Sequence, residues 1–226
     1  MEKRFALLTG NQLKLIAAAA MLLDHAGVLL FPRVNLLRIL GRLAYPIFAY
    51  MIAEGCRYTK NKLRYFLMLF GLGAGCQLVY YFFSGDTYLN ILLTFSVSVL
   101  LIYALQASWQ SGKALWSVAF AAGIVMAVGL DMCLTIDYGF WGMMIPVMVS
   151  FTHIRKFPRW AEIIMLGVGL VLLGADLGAQ QYYALLSLPL LLCYSGRRGK
   201  ANMKYFFYIF YPVHLMVLQG IAMLVR

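Results

Sequence analysis

Asp24 and His25, Arg38 and Arg42, and His214 stand inside long apolar stretches of this chain. An ionisable group at membrane depth costs about 2.5–3.5 kcal/mol on translocon scales, so such groups face a bundle interior or a wet cavity and are the first place to look for chemistry. Histidine exchanges a proton near neutral pH, and arginine offers a fixed fork of donors to an oxyanion or carboxylate. On one helix, Asp24 and His25 point roughly 100° apart and must find different partners. Arg38 and Arg42 share a face at i, i+4, and pairing at least one guanidinium with Asp24 is the least costly way to bury it. That leaves His25 free for proton transfer. Tyr211 and His214 share a face at i, i+3, and Pro212 between them frees a carbonyl of the preceding turn to line a cavity. Plainer roles remain open for each: a structural ion pair for Asp24, and interhelical hydrogen bonds for the histidines.

The elements that position these groups follow from composition. The chain has 226 residues, of which 63% are hydrophobic and 12% charged, with a mean hydropathy of +0.81. A water-soluble core has no use for that balance, so the surrounding solvent is lipid. About nine stretches approach the roughly 20 apolar residues that a bilayer requires, at 13–31, 36–54, 63–83, 89–107, 113–130, 138–154, 160–178, 181–195 and 205–225. The eighth is short and carries Pro189, which points to a kinked or re-entrant segment. The expected fold is all-α, a polytopic helical bundle in the plasma membrane, with residues 1–226 forming a single domain. At about 1.5 Å of rise per residue, His25 and Arg42 reach similar depths and His214 comes close to them, which gathers the polar groups into one layer.

A net charge of +11 could indicate a nucleic-acid partner, but its distribution argues for topology instead. Alternate connections hold Lys3, Arg4 and Lys14; Arg57, Lys60, Lys62 and Arg64; Lys113; Arg155, Lys156 and Arg159; and Arg197, Arg198, Lys200 and Lys204. The opposite side holds Arg33 and Arg226, with the acidic Asp86, Asp131, Asp137 and Asp176. This bias puts the N-terminus in the cytoplasm and the C-terminus outside, and leaves no call for nucleic acid. The first apolar run imitates a signal peptide but continues through Asp24 and His25 without a small-residue cleavage site, so it is read as a span. Cys56, Cys76, Cys133 and Cys193 lack CxxC spacing and read as reduced packing residues, with no metal site expected. Asp137, Tyr138, Gly139 and Gly142 open the sixth span as a helix start or a cavity rim. Glu54 is expected to pair locally with Arg57 or Lys60, and His153 to sit at the interface. Gly71, Gly73 and Gly75 lie in an apolar helix and read as close packing rather than a phosphate loop.

Several of these stretches carry a resemblance. LKLIAAAAMLLDHAGVLLFP at 13–32, LRILGRLAYPIFAYMIAEG at 37–55, TKNKLRYFL at 59–67, DYGFWG at 137–142 and FYPVHL at 210–215 make the chain similar to the TraX family, membrane proteins associated with N-terminal acetylation of F-type pilin. The DHxG, RxxGRxxxPxF and YPxHL patterns are specific in combination, and the likeness spans essentially the whole chain. It touches Asp24, His25, Arg38, Arg42, Pro46, Glu54, Gly55, Asp137, Tyr138, Gly139, Tyr211, Pro212 and His214. The resemblance implies an acetyltransferase that uses cytoplasmic acetyl-CoA to modify an amine or hydroxyl acceptor, a protein N-terminus or a small molecule or glycan, at or across the membrane.

Under that reading His25 is the general base or a transient acetyl carrier, His214 a second base or orienting group, and Asp24 the charge that fixes an arginine. Arg38, Arg42, Tyr45, Tyr211, Asp137 and Tyr138 contact substrate. Lys60, Lys62, Arg64, Arg155 and Arg198 offer a docking surface for the phosphates of acetyl-CoA. Two competing readings are a proton-coupled small-molecule transporter, which the same Asp, His and Arg set would serve, and a non-catalytic component of a pilus or secretion assembly. Small size, an odd number of spans and the lack of an inverted repeat speak against the transporter. Cysteine probes placed at Thr87 and Gln180 in intact cells are expected to label from outside and probes at Asn61 and Asn202 to be shielded. Labelling in the opposite sense inverts the topology.

Overall fold

The computed structural model describes residues 7–85, 87–201 and 203–225. Lys3, Arg4, Asp86, Asn202 and Arg226, used above for charge and topology, lie outside the described residues, as does the side chain of Lys204. Among the described residues the chain is helical throughout, with isolated backbone bridges at Leu8–Tyr194 and Leu89–Ile136 and no strands. Among the described residues seven stretches are long and apolar enough to cross a bilayer: Gly10–Leu29, Asn35–Tyr58, Lys62–Phe82, Ile91–Ser111, Ala114–Cys133, Arg159–Leu177 and Phe206–Leu224. It is an all-helical membrane protein.

Helix α1 (Gly10–Leu29) begins at a capping box in which the Thr9 side chain accepts from the Gln12 backbone and Gln12 accepts from Thr9 N–H. The second expected span is interrupted. It comprises α2 (Asn35–Gly41) and α3 (Ala44–Tyr58), with a break at Arg42 and Leu43. Pro46 accounts for the break, because it has no N–H for the Arg42 carbonyl and its ring crowds that carbonyl, whereas in the first turn of a new helix it costs nothing. Helices α4 (Lys62–Ser84), α5 (Ile91–Ser111), α6 (Ala114–Cys133) and α8 (Arg159–Leu177) match their expected spans closely. The sixth span appears as the shorter α7 (Gly139–Ile154).

The eighth expected span departs furthest. Residues Ala179–Ser187 form a 3-10 helix that runs into the five-residue α9 (Leu188–Leu192). Pro189 stands in the first turn of α9, where its missing N–H costs nothing, so a new helix starts there after the 3-10 turns. The last helix, α10 (Lys204–Val225), carries Pro212 in its interior.

The chain divides into two compact units, Met1–Met51 with Gly178–Arg226, and Ile52–Leu177. In the second unit α5 packs against α4, α6 and α7, and α7 packs against α8. Val99, Ile102, Met143, Ile145, Leu166 and Leu170 are fully enclosed there. In the first unit α1 packs against α2 and α10. The segment before α10 also covers the start of α1: the carbonyls of Arg197 and Arg198 accept from the N–H groups of Gly10 and Asn11, and Asn11 Nδ2 donates to the Ala201 carbonyl at 2.6 Å. Donors that a helix start leaves orphaned are thereby satisfied, and the chain entering α10 is tied to α1.

The α1–α2 contact depends on glycine. A Cβ at Gly27 would sit 3.0 Å from the Leu37 Cβ, and one at Gly41 would overlap the Cβ and carboxylate of Asp24. Gly41→Ala is therefore expected to push Asp24 off the α2 backbone and destabilise the protein by about 1–3 kcal/mol. Thermal unfolding in detergent checks this, and an unchanged midpoint contradicts the close approach.

Candidate functional site

Helix α1 presents Asp24 to α2 and His25 to α10, the divergence expected of neighbouring helical residues. The Asp24 carboxylate gives one oxygen to each guanidinium: Oδ1 accepts from Arg42 Nη2 at 2.8 Å and Oδ2 from Arg38 Nη1 at 3.1 Å. The two arginines are not equivalent. Arg42 has an acceptor at each of its three nitrogens, since Nε also donates to the Arg38 carbonyl at 3.4 Å and Nη1 to Gln181 Oε1 at 3.3 Å. Its side chain is only 7% exposed, against 27% for Arg38. Arg38 thus keeps donors to spare on an accessible guanidinium. Asp24 balances one of the two charges, so the cluster retains positive charge.

On the adjoining face of α1, His25 Nδ1 lies 2.9 Å from His214 Nε2, and the ring centroids are 5.1 Å apart. His214 is buried and held from two sides by one residue. Its Nδ1 donates to the Phe210 carbonyl at 2.7 Å, and its ring stacks on the Phe210 ring at 4.8 Å with planes 9° apart. Tyr211 meets His214 edge-on at 5.8 Å. His25 is only partly buried, and its Nε2 has no hydrogen-bond partner among the described residues. The expected polar groups of the first unit therefore form two clusters, Asp24 with both arginines and His25 with His214 and Tyr211, fixed to one helix.

Tyr45 is buried on α3. Asp137 and Tyr138 belong to the second unit, where they build the turn that starts α7. The Asp137 carbonyl accepts from Thr94 Oγ1 at 2.9 Å, its carboxylate accepts from Tyr88 at 3.2 Å, and Tyr138 caps the helix at a φ of 62°. Of the basic residues of the second unit named for docking, Lys60, Arg64 and Arg155 are exposed. Lys62 lies 5.1 Å over the Tyr103 ring, and Arg155 4.8 Å over Trp109. Arg198, in the first unit, is exposed.

Gln181, Gly41 and Phe210 were missed as parts of the site. A glutamine pair at 180 and 181 within an apolar stretch was the available signal for the first. In the second unit Glu54 pairs with Arg57 at 3.5 Å, as expected. His153, expected at the interface, instead has a side chain only 3% exposed, with Nε2 3.5 Å from Glu54 and 3.3 Å from Glu162. Among the described residues, no three His, Cys, Asp or Glu side chains are grouped to hold a metal ion.

Comparison with known proteins adds to this geometry. The family model described as TraX protein matches residues 9–222. A protein named "Probable fimbrial assembly protein FimC, serogroup H1", from Dichelobacter nodosus, is 27% identical over 240 residues, covering 95% of this chain and 96% of that protein. "Uncharacterized protein RP591" of Rickettsia prowazekii (strain Madrid E) is 37% identical over 60 residues, 26% of this chain and 23% of its own length. No solved structure matches.

The unequal arginines generate a prediction. Arg42→Gln removes the buried guanidinium whose three nitrogens all donate and leaves Asp24 to Arg38 alone, and it is expected to cost about 1.5–3 kcal/mol of stability, the range for hydrogen bonds to charged groups. Arg38→Gln is expected to cost clearly less. Thermal unfolding of the two variants side by side checks the ranking, and equal losses contradict it.

Proposed function

The chain belongs to the TraX family, and from that premise we propose that it is a membrane-embedded acyltransferase that moves an acetyl group from acetyl-CoA to an amine or hydroxyl acceptor. The observation that carries the reading is the His25–His214 hydrogen bond at 2.9 Å, beside an arginine cluster that one carboxylate leaves positively charged. Acyl transfer needs a base for the acceptor proton and fixed donors for the oxyanion that develops on the thioester carbonyl. A structural ion pair would need charge balance and no bare imidazole nitrogen. Here Arg38 has donors uncommitted and His25 has Nε2 uncommitted.

In the mechanism, His25 Nε2 takes the acceptor's proton as the acceptor nitrogen or oxygen attacks the thioester carbon. Arg38 donates to the oxyanion, with Asp24 and the locked Arg42 holding its guanidinium in place. The carbon–sulfur bond then breaks, and the CoA thiolate recovers the proton from His25. The products are the acetylated acceptor and CoA thiol. Tyr211 and Tyr45 border the acceptor, and Asp137 and Tyr138 shape the rim of the second unit. In the second unit exposed Lys60, Arg64 and Arg155, with Lys62, attract the phosphates of acetyl-CoA, and exposed Arg198 adds positive charge to the first unit.

We place the protein in the plasma membrane with nine crossings, the N-terminus cytoplasmic and the C-terminus outside. In this arrangement α7 makes a short crossing, and the 3-10 helix with α9 forms the eighth. The printed name of the Dichelobacter relative favours an acceptor within a fimbrial or pilus assembly, and the N-terminus of a pilus subunit is an amine of the required chemistry.

The test is CoA release by purified protein in detergent, supplied with radiolabelled acetyl-CoA and a peptide with a free α-amino group or an amino sugar. Label is expected to move to one acceptor, and His25→Gln is expected to lower turnover by roughly 10²–10⁴-fold while CoA binding survives. Failure of the wild-type protein to release CoA with either acceptor overturns the reading. Proton-coupled uptake into vesicles in its place supports the transporter.

A further inference from the structure

The two histidines of the site are not interchangeable. We infer that His214 is a positioning residue that fixes the tautomer of His25, making His25 Nε2 the single reacting nitrogen of the pair. The inference rests on the acyltransfer reading for its kinetic consequence, but its structural content stands apart from that reading.

The argument is one of hydrogen inventory. A backbone carbonyl only accepts, so the 2.7 Å contact between Phe210 and His214 Nδ1 requires the hydrogen to be on that nitrogen. A neutral imidazole carries one N–H, so His214 Nε2 then has a bare lone pair. That lone pair faces His25 Nδ1 at 2.9 Å, and two bare nitrogens cannot approach so closely without repulsion. The hydrogen between the rings therefore belongs to His25 Nδ1. With its one hydrogen committed there, neutral His25 has a bare Nε2, and Nε2 is the nitrogen with no hydrogen-bond partner among the described residues. A carbonyl on α10 thus dictates, through two rings, which atom on α1 is the base. Both nitrogens of His214 are occupied, which removes it from direct contact with substrate.

Nitrogen-15 NMR of the full-length protein tests the assignment, with labelled histidine and the pair neutral. The protein has three histidines, and single substitutions at His25, His153 and His214 assign the signals. The expected spectrum has His25 and His214 each protonated at Nδ1 and bare at Nε2. His214→Gln places a carbonyl oxygen near the position of the lost Nε2, so it is expected to keep the His25 tautomer and turnover within about tenfold of wild type. His214→Leu offers no acceptor and is expected to release His25 to the Nε2–H form and lower turnover at least a hundredfold, within the range for loss of a general base. A wild-type spectrum with His25 protonated at Nε2 overturns the proposal even if the leucine variant fails to fold. So does a His214→Gln protein that keeps the tautomer yet is as inactive as His25→Gln, since His214 would then be acting as a base itself. Absence of acyl transfer from every form rejects the proposed activity, and the spectrum alone then decides the tautomer.

Discussion

One carboxylate shared by two guanidiniums is the constraint from which the first unit's geometry follows. An unpaired charge at membrane depth costs several kcal/mol, so Arg38 and Arg42 can stay buried only where Asp24 reaches both. Contacts of 2.8 and 3.1 Å demand that α1 and α2 lie almost backbone to side chain. Gly41 supplies the space, and a residue with any Cβ there would collide with Asp24. Once Asp24 is fixed, the rotation of α1 is fixed as well, and His25 is turned toward α10. The ion cluster and the histidine pair are thus two consequences of one helix orientation.

The cluster is also unbalanced in a way that suits a reacting anion better than a structural strut. Asp24 neutralises one arginine, Arg42 is held by Asp24, Gln181 and the Arg38 carbonyl, and Arg38 remains the more accessible of the two. In a site of low dielectric, a donor held in place before the reaction stabilises developing charge without reorganising. The break in the second span contributes here. There Arg42 caps the end of α2, with both its backbone N–H and its Nε donating to the Arg38 carbonyl.

Much of this site was legible from residue types and helical spacing. The i, i+4 arginines, the need for a counter-charge and the divergence of Asp24 from His25 foretell the pairing, because in lipid an ion's partner is dictated by cost. The facing of His25 and His214 could be expected in depth but not in detail, since which nitrogens meet depends on the Phe210 carbonyl and on rotamers that spacing does not encode. Gln181 lay hidden because its segment reads as a regular apolar span. Pro189 and the glutamines near it were the signal of irregularity, and the segment is a 3-10 helix followed by the short α9. His153 was misplaced for a related reason: proximity to a span's end suggests the interface, but Glu54 and Glu162 arrive from two other helices and enclose it. Pro46 marked the break in the second span, yet hydropathy alone averages across a two-residue interruption.

The claim that Asp24 and Arg42 act as one unit is tested most directly by a double-mutant cycle on thermal stability, comparing Asp24→Asn, Arg42→Gln and the two together. Neighbours in a shared network typically couple by about 0.5–3 kcal/mol. The pair is predicted to fall well within that range, with the double variant more stable than the sum of the single losses because the 2.8 Å contact between the two side chains can be lost only once. Strict additivity would mean that the two charges do not depend on each other, and would contradict the account.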